Sequence, residues 1–154
     1  MGHMLHLGWP TVIESYAGKT PFGVVFEDDG GLAYFYAVDT RHGGHAVVDA
    51  VCIYHVTAVV NHLTPGLDAH HDYDVRIVWS DDQQRVALLL DGTPHAAFDF
   101  EHHRACCRSN FPEASSWSAA GHAWDEHAVD FLATVRDDDA QPVAKYTMLS
   151  SLTS

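Results

Sequence analysis

The sequence predicts an α+β fold: an antiparallel β-sheet meander of about six strands with a C-terminal helix packed on one face. Two observations predict it. Residues 22–100 break into short apolar or alternating runs, separated by turn pairs such as Asp29-Gly30, Gly43-Gly44, Pro65-Gly66 and Asp91-Gly92. Residues 124–136 then place Trp124, Ala128, Phe131, Leu132 and Val135 at helical spacing.

Met1, Gly2 and His3 read as a leader added ahead of a native Met4, and a single α+β domain is expected over 4–154. Val24, Val25 and Phe26 run into Glu27-Asp28-Asp29-Gly30-Gly31, and Tyr34, Phe35, Tyr36, Ala37 and Val38 run back. Aromatic and β-branched residues around an Asp-Gly turn predict a hairpin over 22–39. Residues 46–56 follow as a third strand. Val47, Asp49, Val51, Ile53 and His55 fall on one face, and Ala46, Val48, Ala50, Cys52 and Tyr54 on the other. Both faces are largely apolar, which predicts a central strand covered on both sides. Residues 56–62 fit a short helix or a continued strand, and 67–74 read as a polar, His-rich loop.

Tyr73, Val75, Ile77 and Trp79 alternate with Asp74, Arg76, Val78 and Ser80, the pattern of a half-buried strand. Residues 85–90 and 95–100 add two strands about the turn Asp91-Gly92-Thr93-Pro94. Residues 101–118 have no clear period and are long for a structureless loop, which marks them as functional or mobile. The helix is expected to end at or before Asp137-Asp138-Asp139, because acidic residues oppose the dipole there. Beyond Val143 one more short strand or a frayed end is expected.

At 154 residues the chain can bury a core without disulfide or metal staples. Hydrophobic residues make up 47% and charged ones 19%, which excludes disorder of the whole chain. Eight Lys plus Arg face 21 Asp plus Glu, a formal charge of −13. Such a surface repels a nucleic-acid backbone and an anionic membrane, so neither is expected as a partner. No apolar run approaches the roughly 20 residues that span a bilayer. No basic segment leads an apolar stretch at the N-terminus, so a cytoplasmic location is expected. Cys106 and Cys107 are adjacent and unsuited to an ordinary bridge, which also fits a reducing compartment.

Three segments stand out together. They are Phe22-Gly23-Val24-Val25-Phe26-Glu27-Asp28-Asp29-Gly30 with Tyr34-Phe35-Tyr36-Ala37, Ile77-Val78-Trp79-Ser80 with Ala87-Leu88-Leu89-Leu90-Asp91-Gly92, and Pro94-His95-Ala96-Ala97-Phe98-Asp99-Phe100. In this order they resemble a small bacterial family catalogued only as a domain of unknown function. The resemblance covers residues 22–112. It implies a small cytoplasmic bacterial protein and assigns no catalytic residue.

Glu27, Asp28 and Asp29 form an acidic tip, either a solvated turn or a contact for a cation or a basic partner. A Ca²⁺ site takes about six to eight oxygens from a spaced loop, and that spacing is absent. Tyr34, Phe35 and Tyr36 alternate between faces, so either both sheet faces are covered or one aromatic face is open. A single helix covers one face only. The mismatch points to an interface, with a homodimer packed through the other face as one arrangement. Glu27, Asp28, Asp29, Tyr34, Tyr36 and Trp79 make up the expected binding surface.

His102, His103, Cys106 and Cys107 are the densest set of soft ligands. On a helix, His102 would share a face with Cys106, and His103 with Cys107. Either pair supplies part of a tetrahedral zinc set, with His70 or His71 completing it. No Cys-x-x-Cys accompanies them, and the competing reading is incidental His with plain thiols. Arg104 and Arg108 would lower a thiol pKa and make Cys106 or Cys107 redox-sensitive. His122-Ala123-Trp124-Asp125-Glu126-His127 matches neither His-Glu-x-x-His nor His-x-x-Glu-His. Ser80 beside Asp81, with His95 two strands away, lacks a Gly-x-Ser-x-Gly elbow. No Walker loop and no Gly-x-Gly-x-x-Gly occur.

These readings favour a non-enzymatic, acidic protein-binding module facing a basic protein, immunity-like in neutralising it. The alternative is a metal-binding or metal-dependent protein built on the 102–107 cluster, with zinc as its cofactor.

Overall fold

The computed structural model describes residues 3–41, 43–135 and 141–148. Its strands are β1 (His3–His6), β2 (Thr11–Tyr16), β3 (Phe22–Asp28), β4 (Leu32–Asp39), β5 (Ala46–His55), β6 (Asp72–Trp79), β7 (Arg85–Leu90), β8 (Thr93–Asp99), β9 (Arg104–Cys107) and β10 (Ala144–Met148). They form two antiparallel sheets of five strands, ordered β1-β6-β7-β8-β9 and β10-β2-β3-β4-β5. The expected α+β fold is therefore incorrect: the protein is a mostly-β sandwich. A short helix, α1 (Val56–Val60), follows β5, and the C-terminal helix is replaced by a 3-10 helix over Glu126–Ala133. Among the described residues no helix is long and apolar enough to cross a membrane.

The β3–β4 hairpin forms as its turn chemistry requires. Asp29 Oδ1 accepts the backbone N–H of Gly31 and of Leu32, each at 2.8 Å. Gly30 sits at φ +97°, a region that side chains rarely adopt. β5 is an edge strand, contrary to the central place expected for it. Residues 108–112 take up its free edge: Cys52 N–H donates to the Phe111 carbonyl at 2.8 Å, and Ser109 Oγ donates to the Cys52 carbonyl at 2.7 Å. His3, set apart as leader in the sequence, lies in β1 opposite Val75.

The core lies between the sheets and is tied by aromatic contacts. Phe35 of β4 stacks on Phe98 of β8 with centroids 5.2 Å apart, and Phe22 on Phe100 at 4.4 Å. Trp79 is 0% exposed, and its indole N–H donates across the sandwich to Ser15 Oγ at 3.0 Å. A second, smaller cluster covers the outer face of the first sheet. There Val78, Ala87, Leu89, Ala97 and Cys106 meet Val129 and Phe131 of the 3-10 helix, with Trp124 and Leu132 packed around them. Asp125 caps that helix by accepting the His127 N–H at 3.0 Å. The acidic run 137–139, where the helix was expected to stop, lies outside the described residues.

Candidate functional site

The second sheet keeps an aromatic outer face. Alternation along β4 puts Tyr34 and Tyr36 there, with Phe35 pointing into the core. Tyr34 lies opposite Glu27 of β3 and Cys52 of β5, and Tyr36 opposite Val25 and Ala50. The two tyrosine rings stack with centroids 5.8 Å apart and planes 21° apart. β2 adds Glu14 and Tyr16 to the same face. The Tyr16 ring lies over Gly23, where an added Cβ would collide with it. The helical segments pack chiefly elsewhere, α1 on β5 and the 3-10 helix on β8.

Electrostatics keep this face acidic and its phenols protonated. Burial, then the Glu14 carboxylate, pushes Tyr16 up to about 12. Burial and the nearby Glu27 raise Tyr36, and burial raises Tyr34. The Leu32 and Gly31 N–H groups hold Asp29 below the usual carboxylate range, so it is ionised at neutral pH. Beside Tyr34 opens a cavity of about 400 Å³, walled by Leu32, Tyr34, Cys52, Tyr54, Ser109 and Phe111. Phe111 is 57% exposed there.

Of the six surface residues expected from sequence, the fold places Glu27, Tyr34 and Tyr36 on this face and Asp29 in the exposed turn at its rim. Asp28 and Trp79 are buried and present nothing to a partner. Asp28 points inward because strand alternation turns it away from Glu27. Its Oδ2 accepts from Gly8 N–H at 2.7 Å and from the Tyr54 hydroxyl, and its Oδ1 accepts from Gly30 N–H at 2.8 Å. Burial, then Asp28, drives the Tyr54 phenol far above its ordinary range.

The expected metal cluster is dispersed. Residues 104–107 form a strand, so the helical pairing of His102 with Cys106 and of His103 with Cys107 does not arise. Cys107 enters the inter-sheet core and Cys106 the opposite face. His102 pairs with Asp99 at 2.9 Å, which raises its pKa, and His103 stacks on Trp117 at 4.6 Å. His71 binds Asp91 at 2.7 Å at the other end of β8, roughly 20 Å of strand away. His70 is exposed in the preceding loop. Among the described residues no three His, Cys, Asp or Glu side chains are grouped to hold a metal ion.

The thiols also depart from expectation. Burial pushes Cys52 and Cys106 up to about 11, away from the reactive thiolate range. All three thiols are buried and free. Iodoacetamide at pH 7.5 is therefore expected to label them slowly until denaturant is added, as read by intact mass. Rapid labelling of Cys106 in the folded protein would restore the redox reading.

Ser80 and His95 do not form a nucleophile pair. Ser80 Oγ donates to Asp82 Oδ1 at 2.6 Å inside its own turn. His95 is buried, and desolvation, then Arg108, pushes it down to about 4. Its unfolded counterpart titrates near 6.5. Stability should thus be full above that pH and fall toward pH 4, by up to about 3 kcal/mol. Urea midpoints measured across this range should lose most of their slope in His95→Gln.

Sequence reading missed one polar constellation: Asp49, Ser118 and His122. Ser118 and His122 are 0% exposed, and so is the Asp49 side chain. His122 Nδ1 donates to the Pro112 carbonyl at 2.6 Å. Its Nε2 faces both Ser118 Oγ and, at 3.1 Å, Asp49 Oδ2. Ser118 Oγ donates to that same Asp49 oxygen at 2.6 Å. In a catalytic triad the acid and the serine occupy opposite ring nitrogens. Here both meet Nε2 and no substrate can reach them, so the set holds residues 112–122 against β5. One signal pointed here: Asp49 is the lone acid on the inward face of β5.

A family model described as "Uncharacterized protein conserved in bacteria (DUF2251)" matches residues 5–133. A relative named only as an uncharacterized protein, from Haemophilus influenzae, is 36% identical over 97 residues. That stretch covers 62% of this chain and 56% of the relative, so the match spans little more than half of that protein. No solved structure matches the chain.

Proposed function

We propose a non-enzymatic binding role for this chain, which belongs to the DUF2251 family of uncharacterised bacterial proteins. In this reading a basic protein docks on the outer face of the second sheet. The stacked Tyr34–Tyr36 pair, flanked by Glu27 and Asp29 on the outer face of the second sheet, carries the reading. Tyrosine faces give large, stiff contact area and attract guanidinium or ammonium groups. The carboxylates beside them supply the counter-charge, and the net charge of −13 steers a basic partner toward the protein. Neutralising that partner, as immunity proteins do, is one form such a role takes. Three free cysteines are compatible with a cytoplasmic setting.

The test is capture from the source bacterium's lysate on wild-type protein, on Tyr36→Ala and on Glu27→Lys, at low and high salt. A basic protein held by the wild type at low salt should bind Tyr36→Ala about tenfold more weakly. Glu27→Lys should slow association and flatten the salt dependence. Equal capture by all three proteins would remove the face from the reading. A dimer in sedimentation that Tyr36→Ala dissolves would assign the face to a second copy of the chain.

A further inference from the structure

We infer that the cavity beside Tyr34 is an anchor pocket for one apolar side chain of the basic partner, an inference that rests on the binding reading above. Its volume of about 400 Å³ falls in the range of ligand sites, about 300–1,000 Å³. Three polar side chains of its walls are already engaged. The Tyr54 hydroxyl donates to Asp28, Ser109 Oγ to the Cys52 carbonyl, and the Cys52 thiol faces the Tyr54 carbonyl at 3.6 Å. What the pocket offers a visitor is apolar surface from Leu32, Tyr34 and Phe111.

The Phe111 wall is held in place beforehand. Its carbonyl accepts the Cys52 N–H, and its neighbour Pro112 accepts from buried His122. A wall fixed before binding spares the ordering cost of association. The charges around the pocket select the occupant. No Lys or Arg lines it, and His55 is its one basic wall residue. Glu27 lies opposite Tyr34, and Asp29 accepts the N–H of the wall residue Leu32. An extended segment repeats its side chains about every 7 Å on one side. The same step separates Tyr34 from Tyr36. An apolar residue seated in the pocket therefore sets a Lys or Arg two positions away over Tyr36, beside Glu27.

The experiment uses fluorescein-labelled dodecapeptides of alternating Lys and Ser, with one central Phe or with Ala in its place, read by anisotropy at low salt. The Phe peptide should bind about tenfold more tightly than the Ala peptide. Phe111→Ala should remove most of that difference. Val47→Ala, which trims a 58% exposed side chain away from the pocket, should keep it. Circular dichroism checks that both variants fold. Equal binding of the Phe and Ala peptides, or a full difference in Phe111→Ala, overturns the pocket. If such binding still weakens with salt and with Glu27→Lys, the surface reading survives that loss. Absence of binding by any lysine peptide at low salt overturns both.

Discussion

Replacing His122 by alanine is expected to lower the unfolding free energy by about 3–5 kcal/mol. The loss comes from what stays behind. Asp49 remains buried, with Ser118 and its neighbouring Ala50 N–H as hydrogen-bond partners but without the imidazole against its Oδ2. The Pro112 carbonyl loses its donor as well. Domains are stable by about 5–15 kcal/mol, so one side chain accounts for a large fraction. The melting temperature should fall by on the order of 10 °C for a chain of this size. Asp49→Ala should cost a similar amount, and the double variant much less than the two losses added together. Urea unfolding followed by tryptophan fluorescence measures all four corners of this cycle. Additive losses would show that the two residues act independently, against the geometry described.

The second large effect separates two neighbours. Asp28→Ala is expected to cost about 3–5 kcal/mol, whereas Glu27→Gln should stay within about 0.5 kcal/mol. Asp28 is the acceptor for two turn N–H groups and the Tyr54 hydroxyl. Removing it strands the buried Tyr54 hydroxyl and takes the acceptor from the half-buried Gly8 N–H. Asp28→Asn should be intermediate, because the amide nitrogen turns one acceptor into a donor facing donors. Binding should show the reverse ranking, with Glu27 mattering and Asp28 acting only through stability. The same urea series decides it. Equal stability of Asp28→Ala and Glu27→Gln would contradict the burial of that carboxylate.

The readable parts of this fold are those whose faces differ in polarity. Tyr73, Val75, Ile77 and Trp79 all enter the core, and the Asp29-Gly30 turn closes the hairpin as its residues predict. β2 escaped because its buried face is Thr11, Ile13 and Ser15. Two of those three are polar: Thr11 donates locally to the Trp9 carbonyl, and Ser15 accepts from the Trp79 indole across the sandwich. β9 is short, and its Cys pair splits between two clusters, which no local pattern records. The expected C-terminal helix over 124–136 is absent, and a 3-10 helix over Glu126–Ala133 stands in its place. Three-residue spacings such as Ala128–Phe131 and Leu132–Val135 suit a 3-10 turn as well as an α-turn. On the outer face of the second sheet, Tyr34 and Tyr36 are legible as alternating aromatics. The pocket beside them is not, because Phe111 reaches it from a segment far along the chain.

The strand order also sets a timetable for assembly. β2 through β5 pair with sequence neighbours and can close as soon as they are made, as can β6 through β9. β1 cannot: His6 waits for Asp72, and every register pair of that ladder spans a similar distance. β10 waits longer still, since Tyr146 pairs with Ile13. Two local meanders therefore form first, each with two bare edges, and the remote strands β1 and β10 later cover one edge of each. Such non-local closure places refolding in the millisecond-to-second range expected of β-rich sandwiches. In the interval before β1 docks, β6 is an exposed edge, and there a nascent or refolding chain is open to pairing with another copy.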